Sequence, residues 1–391
     1  MNGLLKGDNM DLGSRRTILG AIGAAIMCLL IVSSASAQTG AERPPMAEQV
    51  FKNVQVLKGI PVDEFMDTMG MIAASLSMNC TDCHTSDSTS SWEKFGDETE
   101  IKKTARRMML MVAGINRNNF KGAPSVTCWT CHRGDQKPKI IPSLTVQYGT
   151  PIDDPNEVDI FPDPSAPSIA QLFNKYIQAI GGAQPVGNLT SYAAKGTYDG
   201  YDTDHAKVPV EIYAKAPNQR TSIVHALFGD KVQSYDGRTG WVSSADKPMP
   251  LMPLTGGNLE GAKTEAIAFF PARIRPAFSQ WKIGSTTIED VEVYVAQGSN
   301  AGQTPVNLYF DKNSGLLVRL LRFAVTPIGT VPTQYDYSDY RAVSGVKVPF
   351  KILTTWTDGQ TTIELNQVQL NTTIDAARFA KPAPAPPPKL Q

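Results

Sequence analysis

The chain runs to 391 residues, 41% of them hydrophobic and 19% charged, which excludes a disordered or collagen-like polymer and leaves room for about two or three globular domains. Its 37 basic and 37 acidic residues cancel, so no global field draws it to nucleic acid or to an anionic lipid surface. Partners must be chosen by local patches, and a nucleic-acid partner is not expected.

The N-terminus reads Ser14-Arg15-Arg16, then an apolar run from Ile18 to Val32, then Ala35-Ser36-Ala37 before Gln38. A basic region, an apolar core and a small-residue cleavage site describe an export signal. The run is roughly 15 residues, short of the ~20 that cross a bilayer, so cleavage near Gln38 is expected rather than anchoring. Ser-Arg-Arg resembles a twin-arginine signal, but Ile18 and Gly20 depart from that pattern and point to general secretion. Residues 1–37 are thus read as a cleaved signal, and the mature protein is expected in the periplasm or otherwise outside the cytoplasmic membrane, with peripheral membrane association left open. Cys28 lies inside the apolar run behind Met27, where a lipoprotein signal needs a small residue, so no lipid is expected on it.

Residues 44–138 carry the strongest signal in the chain. Pro61 followed by Asp63 and Glu64 predicts a helix start, and Phe65, Met69, Ile72 and Leu76 then fall on one helical stripe. That stripe runs into Cys80-Thr81-Asp82-Cys83-His84. A second helix is predicted from near Glu98, with Ile101, Ala105, Met108, Val112 and Ile115 on its stripe, leading through Gly122-Ala123-Pro124 to Cys128-Trp129-Thr130-Cys131-His132. Both pentapeptides are C-x-x-C-H, the spacing that lets two thiols add to the vinyl groups of one haem while the next imidazole reaches the iron. Two copies consume every cysteine outside the leader, and predict two covalently bound haem c groups held by Cys80, Cys83, Cys128 and Cys131, with His84 and His132 on the irons.

An iron that shuttles electrons needs a sixth ligand. After His132 the next methionine is Met249, far along the chain, whereas Met69 precedes the first motif and Met108 precedes the second. On spacing alone these methionines read equally well as core filler, and Met66, Met71, Met109 and Met111 stand close enough to compete.

The residues around the motifs resemble a known family. Val56-Leu57-Lys58-Gly59 through Glu64-Phe65-Met66-Asp67-Thr68-Met69, the first motif, Ala105-Arg106-Arg107-Met108 with Ile115-Asn116, and Val126-Thr127 through His132-Arg133-Gly134 are similar to half of the tetrahaem cytochrome subunit of photosynthetic reaction centres. The resemblance implies a methionine sixth ligand on the helix before each motif, which selects Met69 and Met108. The family carries four haems where this chain has two motifs, and no histidine stands between Asn118 and Val126 to serve another haem. Electron transfer carries over from the resemblance; a reaction centre does not.

Residues 139–167 hold Pro142, Pro151, Pro155, Pro162, Pro164 and Pro167 with Asp153, Asp154, Asp159 and Asp163, a composition that reads as a stiff, solvated linker. The second domain, 168–380, opens with Ser168 as N-cap and Ile169, Leu172, Phe173, Tyr176, Ile177 and Ile180 at helical spacing, stopped by Gly181-Gly182. The period then becomes two, as in Val208, Val210 and Ile212, in Val291, Val293 and Val295, and in Val348, Phe350 and Ile352, with a helical interlude near 260–281. The Pro/Ala tail, 381–391, is expected to be disordered. The strand series, with Tyr235-Asp236-Gly237-Arg238-Thr239-Gly240-Trp241 and Val346-Lys347-Val348-Pro349-Phe350, resembles the periplasmic outer-membrane lipoprotein-carrier superfamily, which implies an open β-barrel around a helical plug and a lipid or quinone ligand. A solid core fits the alternation equally well. His205 beside Asp204 and His225 in an apolar stretch read as surface or core residues.

The expected architecture is multidomain: a mostly α-helical di-haem domain, then an α+β domain with a large twisted antiparallel sheet and a helical plug. The expected function is an exported di-haem c-type cytochrome passing electrons between redox partner proteins, soluble or membrane-bound, with a β domain that docks or binds an apolar ligand. No catalytic constellation is evident, so no enzyme activity is expected; the rivals are a di-haem peroxidase, whose iron must be open, and a redox-sensing lipid-binding protein.

Overall fold

The computed structural model describes residues 43–149, 160 and 162–387. The export signal and residues 150–159 and 161 of the proline-rich linker lie outside the described residues. Residues from Pro44 onward form one compact unit.

The N-terminal segment begins with α1 (Ala47–Val50) and α2 (Val62–Leu76), continues through the one-turn α3 (Cys80–Cys83) and the long α4 (Glu100–Asn119), and reaches the one-turn α5 (Cys128–His132) and α6 (Leu144–Tyr148). Pro61 stands at the N-cap of α2 rather than inside it, with Asp63 and Glu64 in the positive first turn, and α4 starts two residues later than its sequence pattern predicts because Thr99 accepts the Lys102 amide as N-cap. Such a cap is worth about 1 kcal/mol.

After α7 (Ile169–Ala179) and α8 (Ala183–Gly187), the chain forms β1 (Ser191–Gly200), β2 (Val208–Lys215), β3 (Gln219–Ala226), β4 (Gly229–Tyr235), β5 (Gly240–Ser243) and β6 (Leu251–Pro253). Helix α9 (Gly256–Ala268) follows, then β7 (Gln280–Ile288), β8 (Val291–Ser299), β9 (Val306–Asp311), β10 (Leu317–Thr326), β11 (Gly329–Val343), β12 (Val346–Trp356) and β13 (Gly359–Leu370). The predicted helical interlude therefore ends earlier than expected: 3-10 turns occupy 271–277, and Trp281 belongs to β7.

All strands join one antiparallel sheet in the order β6-β5-β4-β3-β2-β1-β13-β12-β11-β10-β9-β8-β7. The two runs of neighbouring strands meet where β1 pairs with β13, Tyr192 opposite Leu370. Strands β6 and β7 remain as edges, so the sheet is open, not a closed barrel. Its inner face, including Ile212, Leu308, Phe310, Leu320 and Phe350, buries against Leu172, Phe173, Tyr176 and Ile180 of the α7 segment and Phe270 and Ile274 after α9. Apolar burial of this kind stabilises by ~25 cal/mol per Å².

The C-terminal segment is bonded to the sheet as far as Ala385, and residues 388–391 of the tail lie outside the described residues. Hydroxyls of Thr221, Ser234 and Ser243 donate to the carbonyls of Arg378, Ala380 and Ala383, and the Ala385 amide donates to Pro250. Proline lacks an N–H but keeps a good acceptor, so a row of serine and threonine hydroxyls can pin a chain that cannot join the sheet as a strand.

The N-terminal segment packs on this sheet. The β10–β11 turn buries Ile328 among Leu57, Met71 and Met109. At that turn Gly329 has φ +154, and a Cβ there would lie 2.6 Å from the Met71 methyl and 3.3 Å from Thr127. Only glycine permits both the backbone and the approach. A polar seam adds to it: the buried Asp63 carboxylate accepts from the Thr255 amide (2.6 Å) and hydroxyl (2.7 Å) at the start of α9, and Asn258 donates to Asp67 at 2.7 Å.

Candidate functional site

Each C-x-x-C-H begins a short helix with a built cap. The Asn79 side chain accepts from the Thr81 and Asp82 amides, and Asp82 reaches back to the Asn79 amide; Thr127 and Thr130 reciprocate in the same way. One helical turn places residues i and i+3 on one face, so Cys80 lies beside Cys83, and Cys128 beside Cys131. None of the four is paired in a disulfide. Burial pushes the Cys83 and Cys128 thiols up.

The two motif histidines share one hydrogen-bond arrangement. His84 Nδ1 lies 3.1 Å from the Phe95 carbonyl and His132 Nδ1 lies 3.0 Å from the Asp135 carbonyl. A carbonyl only accepts, so Nδ1 carries the proton in both rings and Nε2 keeps its lone pair for a metal. Burial first, then the Lys102 ammonium, holds His84 below the usual imidazole range, against the pull of the Phe95 carbonyl. The other two histidines differ: His205 and His225 set Nδ1 against the carboxylates of Asp199 (3.0 Å) and Asp230 (2.8 Å), with no cysteine pair nearby in sequence.

Around the first motif lies an apolar cleft of about 200 Å³. Cys80, Cys83 and His84 stand on its wall, with Phe65, Met66, Met69 and Ile72 of α2 and with Ala105 and Met109 of α4. Phe65, Met69 and Ile72 of the α2 stripe therefore line the cleft while packing against the Leu57, Met71 and Met109 cluster. Thr68, Gly70, Met71 and Ser75 of α2 are buried, the two hydroxyls are back-bonded (Thr68 to Glu64, Ser75 to Met71), and Gly70 lets Thr357 and Asp358 of the sheet come close. Asp358, from the turn between β12 and β13, also reaches this cleft. Burial pushes the nearby Asp67 carboxyl up to about 6, while its bond from Asn258 and the Arg322 charge pull the other way.

The second motif is more open. Met108, the expected partner of this motif, is 38% exposed and does not line the first cleft; its neighbour Met109 does, at 8% exposure. Trp129 is 49% exposed and Cys131 is exposed. The approach to Cys128 is held by Asn116 of α4, whose side chain donates to the Val126 carbonyl (2.7 Å) and accepts the Val126 amide (2.9 Å). The Gly134 amide donates to Ser75 at 3.0 Å, tying the end of this motif to α2. Asn116 stood out in the sequence only as part of the family resemblance, and neither tether has a spacing of its own to mark it.

Residues 24–150 match the family model of the photosynthetic reaction centre cytochrome C subunit. Within it the chain is 37% identical over 102 residues to the photosynthetic reaction center cytochrome c subunit of Rubrivivax gelatinosus and 37% identical over 100 residues to that of Thermochromatium tepidum. These alignments cover 25% and 24% of this chain and 26% and 23% of those proteins, so the chain spans about a quarter of the length of the curated relatives it matches. The cytochrome-like segment of this chain thus resembles that family. Beyond it, 55% of the chain overlays 99% of a LolA superfamily protein from Nitrosomonas europaea at 13% identity and a TM-score of 0.37. The architecture of the cytochrome-like segment's neighbour rests on the strand order and register described above. Among the described residues no helix is long and apolar enough to cross a membrane.

Proposed function

We propose that this protein is an exported di-haem c-type cytochrome that carries electrons between redox partner proteins. The observation that carries the reading is the paired histidine geometry. In both motifs two thiols share one face of a capped turn, and the imidazole that follows gives its Nδ1 proton to a main-chain carbonyl, leaving Nε2 as a ligand. The relatives that match this segment carry the name of a cytochrome c subunit, which supports it. Two haem c groups would supply one-electron redox chemistry.

The chain's residues divide the work. Cys80 and Cys83 would hold one group, Cys128 and Cys131 the other, and His84 and His132 would each offer Nε2 to an iron. Met69, on the wall of the first cleft, and Met108, on the exposed side of α4, would each offer a thioether sulfur, and the groups would supply electron transfer rather than a substrate site. Phe95 and Asp135 orient the imidazoles through their carbonyls, and the apolar lining from Phe65, Ile72 and Ala105 lowers the local dielectric. We place the protein outside the cytoplasmic membrane after loss of residues 1–37. We assign the sheet to docking the carrier, because it packs against α2 and the cap of α5. A second role is suggested by an apolar crevice of about 60 Å³ between Tyr176, Tyr192, Phe269 and Val348, where a lipid or quinone would have to open the sheet to enter.

The deciding experiment is a haem count with electronic absorption and low-temperature EPR of the purified holoprotein. Two low-spin haems with the near-infrared sulfur-to-iron band establish the carrier. A high-spin iron with peroxidase turnover replaces it with the enzyme, and tight binding of an apolar ligand that alters the haem spectrum replaces it with the sensor.

A further inference from the structure

The neutral total charge hides a sharp separation inside the cytochrome-like segment. Residues 44–99, which contain the first motif, hold nine acidic and three basic residues; residues 100–139, which contain the second, hold nine basic and two acidic. Much of this positive charge is unmatched. Lys103, Arg106 and Lys139 pair with Glu100, Glu98 and Asp135. Arg107, Arg117, Lys121, Arg133 and Lys137 are exposed, and among the described residues none has a carboxylate within ion-pair distance.

Four of these cations, Arg117, Lys121, Arg133 and Lys137, flank the second motif on segments that its tethers hold; Arg107 lies further back on α4. Arg117 follows Asn116, whose two bonds to Val126 hold the end of α4 against the approach to Cys128. The Gly122 amide folds the Lys121 turn back onto the Asn116 carbonyl at 3.0 Å. Arg133 follows His132 directly, and the Asp135 amide returns to the His132 carbonyl at 3.0 Å, which curls the segment bearing Lys137 beside the imidazole. The same stretch of chain exposes apolar groups, Trp129 and Phe120, with Met111 earlier on α4. An apolar centre with a charged rim is the anatomy of a transient protein interface.

We propose that the surface around the second motif is the docking site for an acidic redox protein, and that electrons are exchanged with it through the second haem site. This rests on the di-haem reading above. The commitment to an acidic protein comes from charge complementarity: long-range attraction from several unpaired cations raises encounter rates by about 10- to 1000-fold at low salt, while the apolar centre is small enough to release the partner afterwards.

The test uses the full-length holoprotein on gold electrodes coated with carboxylate-terminated or amine-terminated monolayers, with adsorption read by quartz microbalance and electron transfer by voltammetry. The expected result is adsorption and a fast couple on carboxylate at low salt, both lost at high salt. A charge-reversed variant, Arg117→Glu with Arg133→Glu and Lys137→Glu, should lose at least about tenfold in adsorption affinity for carboxylate and gain on amine, with haem content and circular dichroism unchanged. Equal behaviour of wild type and variant on both surfaces overturns the proposal, as does an unchanged adsorption with a shifted second midpoint potential, which would assign the cations to the haem propionates. Co-sedimentation with vesicles containing anionic lipid, without preference for carboxylate monolayers, overturns it in favour of a membrane surface. Failure of the di-haem reading looks different: adsorption follows charge, but the film is electrochemically silent.

Discussion

The two C-x-x-C-H regions are built on one plan and placed in opposite surroundings. The first stands on the wall of an apolar cleft that α2, α4 and a turn of the sheet shape together, in an acidic stretch of chain. The second stands at an open surface, in a basic stretch, and is held by tethers to α2 and α4. Capping recurs in both because the residue before each pentapeptide is Asn79 or Thr127, and the carbonyl-bound imidazole recurs although its acceptor is Phe95, 11 residues on, in the first and Asp135, 3 residues on, in the second. Enclosure and charge do not recur, because they depend on what packs alongside. The same ligand set in an enclosed and an open environment is expected to give two haems of different potential, since burial and solvent exposure tune the metal.

The largest break in this comparison comes from the histidines. His84→Ala and His132→Ala should each abolish one of two low-spin EPR signals and leave the other, and a haem count that remains at two in both variants would show that the thioether links survive without the ligand. Loss of both signals in either variant would mean that the regions are not independent.

The methionines sharpen the contrast. Met69→Ala and Met108→Ala should each remove half of the near-infrared band, but they should differ in stability. Met69 packs among partly buried apolar side chains beside the Leu57 and Met71 cluster, so its truncation should cost about 2 kcal/mol or more, while exposed Met108 should cost under about 1 kcal/mol in the haem-free chain. Urea unfolding of the two apo variants measures the difference, and equal costs would contradict the enclosure described for the first region.

Gly329→Val tests whether the sheet supports the second region. The side chain would meet the Met71 methyl and Thr127, the cap of α5, so a loss of about 1 to 3 kcal/mol is expected, with broadened spectra from the second haem more than the first. A stable variant with unchanged spectra would detach the turn between β10 and β11 from haem support. A more local effect is expected from Asn116→Ala, which deletes two hydrogen bonds to Val126 and should cost about 1 to 2 kcal/mol, with faster hydrogen exchange confined to residues 120–128.

Much of this was legible in the sequence. The two C-x-x-C-H turns were legible because one helical turn sets both thiols on one face and the imidazole at its end, and the haem attachment they imply is the reading proposed above. Period-two runs such as Val208, Val210 and Ile212 announced β2, and Val348, Phe350 and Ile352 announced β12, since a half-buried strand must alternate. The stripe of Phe65, Met69 and Ile72 was visible, yet its destination was not: apolar periodicity says that a face avoids water, and the wall of a cleft satisfies this as well as a packed core.

By itself, then, the sequence determined the two motifs, the change of period between the halves of the chain, the capping residues and the Pro-rich punctuation, all of them short-range consequences of side-chain type. Only the tertiary structure decided that β1 meets β13, that Gly70 and Met71 of α2 meet the sheet at Thr357, Asp358 and Gly329, that Asp63 bonds the start of a helix about 190 residues away, and that four unpaired cations flank the second motif. These depend on contacts between residues far apart in the chain, where the free energy lies in shape and charge matching that no local pattern encodes.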